Sequence, residues 1–414
     1  MNRNLSVNAA RIERDIAELA AITEPGRPWT RRSFTPLFLE GRALIEKRMR
    51  EAGLETRIDA AGNLLGLRKG KSSRKAIMLG SHSDTVPDGG RFDGIAGVVV
   101  GLEVARALAD RGIELEHDLV VVDFLAEEVS AFGVSCVGSR GLTGQFPDGW
   151  LERVEGGRTL AEAIREVGGD PSTLRSLTVP EIKGFLELHI EQGPVLEREG
   201  IDIGIVGAIS GITRIELTFN GQPGHAGTTP MGARADALVA ASRFVQKVDE
   251  AARVLASQPR HFAATVGEFR MEPNAANVVP AKVRLLIDAR AEHRPDMEAF
   301  LAWVKAEAAR MDGAEGVSVP EPVVISDNAA VPSDANLLDL LRGACDRIGA
   351  THRPLASGAG HDAAWVARKA PAAMIFVASK DGLSHAPEEW TENDAIALGA
   401  EVLFEAVIAL DKQA

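Results

Sequence analysis

Ala76-Ile77-Met78-Leu79-Gly80-Ser81-His82-Ser83-Asp84-Thr85 runs from an apolar stretch directly into a histidine and a carboxylate. Such a run reads as a buried strand, and strand residues two apart share a side. His82 and Asp84 would then face the same way, with His82 free to bind a cation while Asp84 holds its other ring nitrogen. A third candidate, Asp93, follows in Gly90-Arg91-Phe92-Asp93-Gly94. Leu119-Val120-Val121-Val122-Asp123-Phe124-Leu125 reads as a second buried strand. It delivers Glu127-Glu128 at its carboxyl end, where open α/β sheets place their ligand sites. Two histidines placed beyond further apolar runs, His189 and His385, complete a candidate constellation.

Outward from this stretch, apolar residues recur at helical spacing from about Phe38 to Ala52. Strand-like and helical segments then alternate through Leu125, the pattern of a layered α/β domain with a central sheet. Gly156-Gly157 and Gly168-Gly169 read as turns around a helical excursion. After Gly211 the order changes. Thr213 to Phe219 alternates as a strand, Gly232 to Ala256 is helical, and His261 to Phe269 and Ala281 to Ala291 look like strands. Pro295 to Met311 is again helical and Val317 to Ile325 extended, giving a β-α-β-β-α-β, ferredoxin-like α+β unit. Strand and helix alternation resumes from about Ser326, with Ala372 to Val377 as another buried strand and His385 on the loop after it. The expected organisation is a larger domain, residues 1–211 and 326–414, interrupted by a smaller one at 212–325.

A chain of 414 residues can bury a core large enough for two or three domains. A formal net charge of −13 and a pI near 5.3 argue against a nucleic-acid partner, which normally demands a basic face, and favour a small-molecule substrate. Cys136 and Cys345 are the only cysteines, too few for a disulfide scaffold or a structural zinc site, and fit a reducing, cytoplasmic compartment. Met1 to Arg14 lacks the apolar core of a signal peptide, and no run of about 18 apolar residues offers a membrane span. Tyrosine is absent, so no tyrosine hydroxyl can serve as an acid or oxyanion donor.

Taken singly, each candidate has a plainer reading. A strand-end histidine is commonly a hydrogen-bonded structural residue, Glu127-Glu128 could open a solvated helix, and Asp93-Gly94 could simply turn the chain. Together, His82, His189 and His385 with the acidic residues supply the mixed nitrogen and oxygen donors that Zn²⁺, Mn²⁺ or Co²⁺ accept. With no cysteine among the ligands, the pattern is that of a catalytic site.

His82-Ser83-Asp84, Gly90 to Gly94, Ala126-Glu127-Glu128, Glu187-Leu188-His189-Ile190-Glu191-Gln192-Gly193-Pro194 and Ser384-His385 resemble, in order, the dinuclear metal motifs of the M20 metallopeptidase superfamily. The match is closer to its hydantoinase/carbamoylase branch, which holds N-carbamoyl-L-amino-acid hydrolases, β-ureidopropionases and allantoate amidohydrolases. Gly224 to Met231, Asn274 to Pro280 and Ser357 to Ala363 also look like family signatures, so the likeness spans nearly the whole chain.

The resemblance implies two divalent metal ions per subunit, of Zn, Mn, Co or Ni. Asp93 would bridge them, His82 and His189 bind one, and Glu128 and His385 the other; His189 points to the carbamoylase branch. Glu127 would be the general base, taking a proton from metal-bridging water and returning it to the leaving nitrogen, with Asp84 supporting His82. The smaller domain is implied to be a dimerisation and lid domain. From it His225 and Asn277 would reach a neighbouring subunit's site in a homodimer, and Arg290 would pair with the substrate carboxylate. Gln192 resembles a polar substrate contact, while Gly358 and Gly360 would let backbone approach the ligand. His361 and Asp362 read as a structural or supporting pair, and His117, His261, His293 and His352 as ordinary histidines. One departure stands beside the metals: where many members continue with Gly and a short Arg-Phe sequence, this chain has Val129 to Arg140.

The implied activity is cleavage of the carbamoyl C–N bond of a small N-carbamoyl-L-amino acid. An allantoate amidohydrolase, or an aminoacylase or dipeptidase-like hydrolase, would use the same metals. A non-catalytic metal-dependent binding protein on the same fold is the alternative from a different class.

Overall fold

The computed structural model describes residues 5–72, 75–174, 181–258 and 260–413. The first four residues of the Met1 to Arg14 stretch lie outside the described residues. The chain is mixed α/β and divides into two compact units: residues 1–207, 332–355 and 361–414, and residues 208–331 with 356–360.

The larger unit is built on a nine-stranded mixed sheet. Along it the strands run Glu55–Ile58, Leu64–Arg68, Asp118–Phe124, Ala76–His82, Ile182–Ile190, Ala372–Val377, Ile203–Ile209 and Val331–Pro332, with His352–Ser357 paired to Ile203–Ile209. The middle four are mutually parallel. Their carboxyl ends therefore open on one edge, carrying His82, the Glu127-Glu128 pair and His189 to the same side. These strands are apolar on both faces because both are covered. Ile95–Asp110 and Asn393–Asp411 are helices buried over most of their residues, and Ala9–Ala21 and Pro36–Glu51 add further cover. Asn8 and Thr35 cap the two N-terminal helices by accepting from the amides of Arg11 and Phe38. The helix Ile95–Asp110 lies unusually close to the sheet at Gly97, where a Cβ would stand 2.5 Å from the Leu188 carbonyl oxygen. Gly156-Gly157 turns the short hairpin Val154–Thr159, and the helix Leu160–Glu166 follows, as the glycine pairs suggested.

The smaller unit holds a four-stranded antiparallel sheet, in the order Phe262–Glu272, Lys282–Ala291, Gly211–Asn220, Val323–Asp327. The helices Ala237–Ala256 and Arg294–Met311 share a core with it, so the chain order is β-α-β-β-α-β. Two local expectations need correction. The first helix begins at Ala237, not Gly232, because the Asp236 carboxylate caps the amides of Leu238 and Val239 while Met231–Ala233 forms a separate 3₁₀ turn. Val317 to Ile325 is not one continuous strand: Ser318 makes an isolated bridge to Asn220 and the regular ladder starts at Val323. Pro320 and Pro322 lie between them and have no N–H to donate.

A candidate dinuclear metal centre

The strand Ala76–His82 ends at His82, so Asp84 lies two residues beyond it. His82 Nδ1 consequently meets the Asp84 backbone oxygen at 3.0 Å, with the Asp84 carboxylate farther off at 3.6 Å. The carboxylate was expected to hold that nitrogen; its Oδ1 instead accepts from the Glu127 amide at 3.2 Å. His189 is oriented in the same manner, its Nδ1 lying 2.9 Å from the Ile190 carbonyl oxygen. A ring nitrogen facing a carbonyl must carry the proton, which directs both Nε2 atoms inward.

Those Nε2 atoms face Asp93. Its Oδ1 lies 3.1 Å from His189 Nε2 and 3.8 Å from His82 Nε2, while Oδ2 lies 3.0 Å from His385 Nε2. His385 Nε2 is also 3.3 Å from Glu128 Oε1. Of three groups of donors that could hold a metal ion among the described residues, two share Asp93, His82 with Asp93 and His189, and Asp93 with Glu128 and His385; the third joins Glu187, His189 and His361. Glu127 belongs to none of them, although its Oε2 comes within 3.6 Å of His82 Nε2. Mixed imidazole and carboxylate donors are of the kind that divalent cations accept.

The backbone is bent to make this possible. Gly94 adopts φ +68°, and a Cβ there would lie 2.4 Å from the His82 ring. Ala126, Gln192 and His385 all take left-handed backbone conformations, with φ between +51° and +56°. Non-glycine residues hold this conformation at a cost of order 1–3 kcal/mol, and such outliers gather at functional sites.

Electrostatics follow the geometry. Burial works to lower the His82 and His189 pKa values, but the facing carboxylates, Glu127 and Asp84 for His82 and Asp93 for His189, outweigh it and raise both. His385, hydrogen-bonded to Asp93 and Glu128, is pushed up to about 10. Glu127 is held well above the usual carboxylate range by burial, with the negative charge of Glu128 adding to it.

Several further residues belong to this region, of which Glu187 and Cys136 have no role assigned from sequence. Glu187 Oε1 accepts from Ser81 Oγ at 2.6 Å, and its Oε2 from the Ala363 amide at 3.2 Å. His361, read as a supporting residue, packs its ring 4.5 Å from that of His189. Cys136, within the Val129 to Arg140 segment and just before the helix Val137–Leu142, has its Sγ 3.5 Å from Glu127 Oε1. Glu187 was legible, since it precedes His189 by two on one strand. Cys136 carried no such signal. Gln192 turns its amide to the site, donating to Asp93 Oδ2 and Ser384 Oγ, both at 3.0 Å. Of the histidines read as ordinary, His117 pairs with Asp411 and His352 with Asp346; His261 and His293 fall in no candidate metal cluster among the described residues.

His225, Asn277, Arg290 and Gly358 all lie in the smaller unit. His225 and Asn277 are exposed neighbours: Gly224–His225 pairs with Val278–Val279, and the Ala226 amide donates to the Asn277 carbonyl at 3.0 Å. Arg290 donates through Nε to Asp288 Oδ1 at 2.8 Å and through Nη1 to the Gly358 carbonyl at 2.7 Å. Gly358 thus serves as backbone against Arg290, whereas a Cβ at Gly360 would meet open space.

Residues 78–409 match the model of peptidase family M20/M25/M40. The chain belongs to the M20 family. Among M20 relatives, the N-carbamoyl-L-amino-acid amidohydrolase of Paenarthrobacter aurescens is 35% identical over 411 residues, 98% of each chain. The allantoate amidohydrolase of Bacillus subtilis is 34% identical over 388 residues, 92% of each chain. A crystal structure of a hydantoinase/carbamoylase family amidase from Burkholderia multivorans superposes with a TM-score of 0.90 at 36% identity, over 98% of each chain. This M20 chain is a hydrolase acting on carbon–nitrogen bonds other than peptide bonds, and M20 enzymes are metal-dependent. Among the described residues no helix is long and apolar enough to cross a membrane.

Proposed function

We propose that the protein is a binuclear amidohydrolase that cleaves the carbamoyl C–N bond of a small N-carbamoyl-L-amino acid. The observation that carries this reading is the Asp93 carboxylate, which turns Oδ1 to His82 and His189 and Oδ2 to His385. In this reading His82, His189 and Asp93 hold one ion, and Asp93, Glu128 and His385 hold the other. A pair of divalent cations supplies Lewis-acid polarisation of a carbonyl and water of lowered pKa.

Glu127 does the proton work. Its carboxylate is buried and outside both donor clusters, so it can accept a proton from the attacking water and deliver it to the departing nitrogen. Asp84 holds the Glu127 backbone through its amide. Gln192 presents a polar donor beside Asp93. Arg290 receives the substrate carboxylate, its guanidinium kept in place by Asp288 and Gly358. His225 and Asn277 act in the neighbouring subunit of a homodimer; their exposure in the single chain leaves them free for that role. The free, buried thiols of Cys136 and Cys345 suit a reducing cytoplasm.

Allantoate amidohydrolysis is the second reading, since a relative of that name is almost as similar in sequence. A turnover panel separates them. Metal-free protein reconstituted with Mn²⁺, Co²⁺, Ni²⁺ or Zn²⁺ is assayed on N-carbamoyl-L-amino acids, N-carbamoyl-β-alanine, allantoate and N-acetyl-amino acids, reading ammonia and amine release separately. Chelation abolishes activity and the ions restore it; full turnover without metal would sink the mechanism. Preferential release of ammonia from allantoate would move the assignment to the second reading.

A further inference from the structure

Glu389 lies four residues beyond His385 and is almost wholly buried, 1% exposed. Its Oε1 accepts from two consecutive backbone amides, Phe92 at 2.9 Å and Asp93 at 3.1 Å. Its Oε2 accepts from Ser384 Oγ at 2.8 Å. Ser384 Oγ in turn accepts from Gln192 Nε2 at 3.0 Å, and the same Gln192 nitrogen donates to Asp93 Oδ2 at 3.0 Å. The chain of hydrogen bonds closes on itself: it leaves Asp93 by the main-chain amide and returns to it by the carboxylate.

Burying a second carboxylate beside Asp93 is unfavourable unless donors satisfy it, and three donors are spent on Glu389 for that purpose. The space is reserved as well. A Cβ at Gly90 would fall 1.8 Å from Glu389 Oε1, so the loop leading to Asp93 is shaped around this carboxylate. The ring also spans three separate parts of the chain: the Asp93 loop, the segment after the strand Ile182–Ile190, and the His385 loop.

We infer that Glu389 is the positioning residue for the shared carboxylate, fixing Asp93 relative to His385 so that both metal half-sites form together. Glu389 belongs to none of the candidate donor clusters among the described residues. It acts through the amide of Asp93 and the hydroxyl of Ser384, and so sets where the two Asp93 oxygens point. The inference rests on the dinuclear reading above.

The test is metal binding. Purified, metal-free wild-type protein is titrated with Mn²⁺ alone, and stoichiometry and affinity are compared with those of Glu389→Ala, Glu389→Gln and Ser384→Ala. Supporting residues of this kind are worth about 10–100-fold in metal affinity. Glu389→Ala should lose that much in Mn²⁺ affinity while its metal-free form, though less stable for its unpaired amides, still unfolds cooperatively. Glu389→Gln keeps a carbonyl for the two amides but turns an NH₂ toward Ser384, and should lie between the two. Glu389→Ala that folds and binds two Mn²⁺ with wild-type affinity overturns the inference. If Glu389→Ala does not fold, Ser384→Ala decides, because it removes only the Oε2 link; unchanged Mn²⁺ affinity there also overturns it. Wild-type protein that takes up no Mn²⁺ sinks the dinuclear reading itself, a result distinct from either variant outcome.

Discussion

Glu127 Oε2 lies 3.6 Å from His82 Nε2, close enough to reach the centre yet outside both donor clusters that share Asp93. Glu127→Gln should therefore keep its metal and lose turnover by about 10²–10⁴-fold, the range for removing a general acid–base group. Elemental analysis and kcat on the same preparation check this. Metal loss with unchanged turnover per bound ion would mean that Glu127 and Glu128 have exchanged roles.

Arg290→Ala should weaken kcat/KM for carboxylated substrates by about 1.5–3 kcal/mol, the worth of hydrogen bonds to a charged group. An amidated analogue should lose far less, since it never formed the charged pair. Equal losses on both would point to a disturbed strand Lys282–Ala291, where Arg290 also holds Asp288 and Gly358.

Subunit mixing examines the homodimer. Glu127→Gln and His225→Ala proteins are each expected to be inactive alone. After demonstrated exchange, part of the activity should return, because some sites then pair an intact Glu127 with an intact His225. No recovery would leave His225 acting within its own chain or not at all.

Glu307 makes a pH-dependent contribution to the smaller unit. Hydrogen-bonded to Arg310 at 2.6 Å and facing Lys247 Nζ at 2.7 Å, it has a pKa lowered to about 2, with Arg310 as the leading cause. A carboxylate depressed in the folded state stabilises above its unfolded pKa of about 4.3 and loses that stabilisation as pH falls toward the folded value. Glu307→Gln should accordingly be less stable than wild type at neutral pH, with the difference shrinking between about pH 5 and pH 2. Denaturant melts across this window provide the measurement. A difference independent of pH would show that packing, not charge, is lost.

Local pattern carried much of the architecture. The apolar runs at Ala76 and Leu119 announced buried strands because side chains on a strand alternate with period two and a sheet covered on both faces needs no polar positions. Helix starts were less legible: Gly232 to Ala256 read as one helix because apolar spacing does not distinguish a 3₁₀ turn from the first turn of an α-helix. Only the Asp236 cap sets the boundary.

By itself the sequence determined the donor types, their order after successive strands, and the motifs that mark the M20 family. Those features are local, each a residue or short run read against its immediate neighbours. Tertiary structure alone decided that Asp93 divides its two oxygens between His82 and His189 on one side and His385 on the other, and that the Asp84 backbone, not its carboxylate, meets the His82 ring. It alone disclosed Glu389, whose bond to the Asp93 amide joins residues 296 positions apart. Periodicity is blind to such contacts, because they are set by how strands and loops from distant parts of the chain converge at one edge of the sheet.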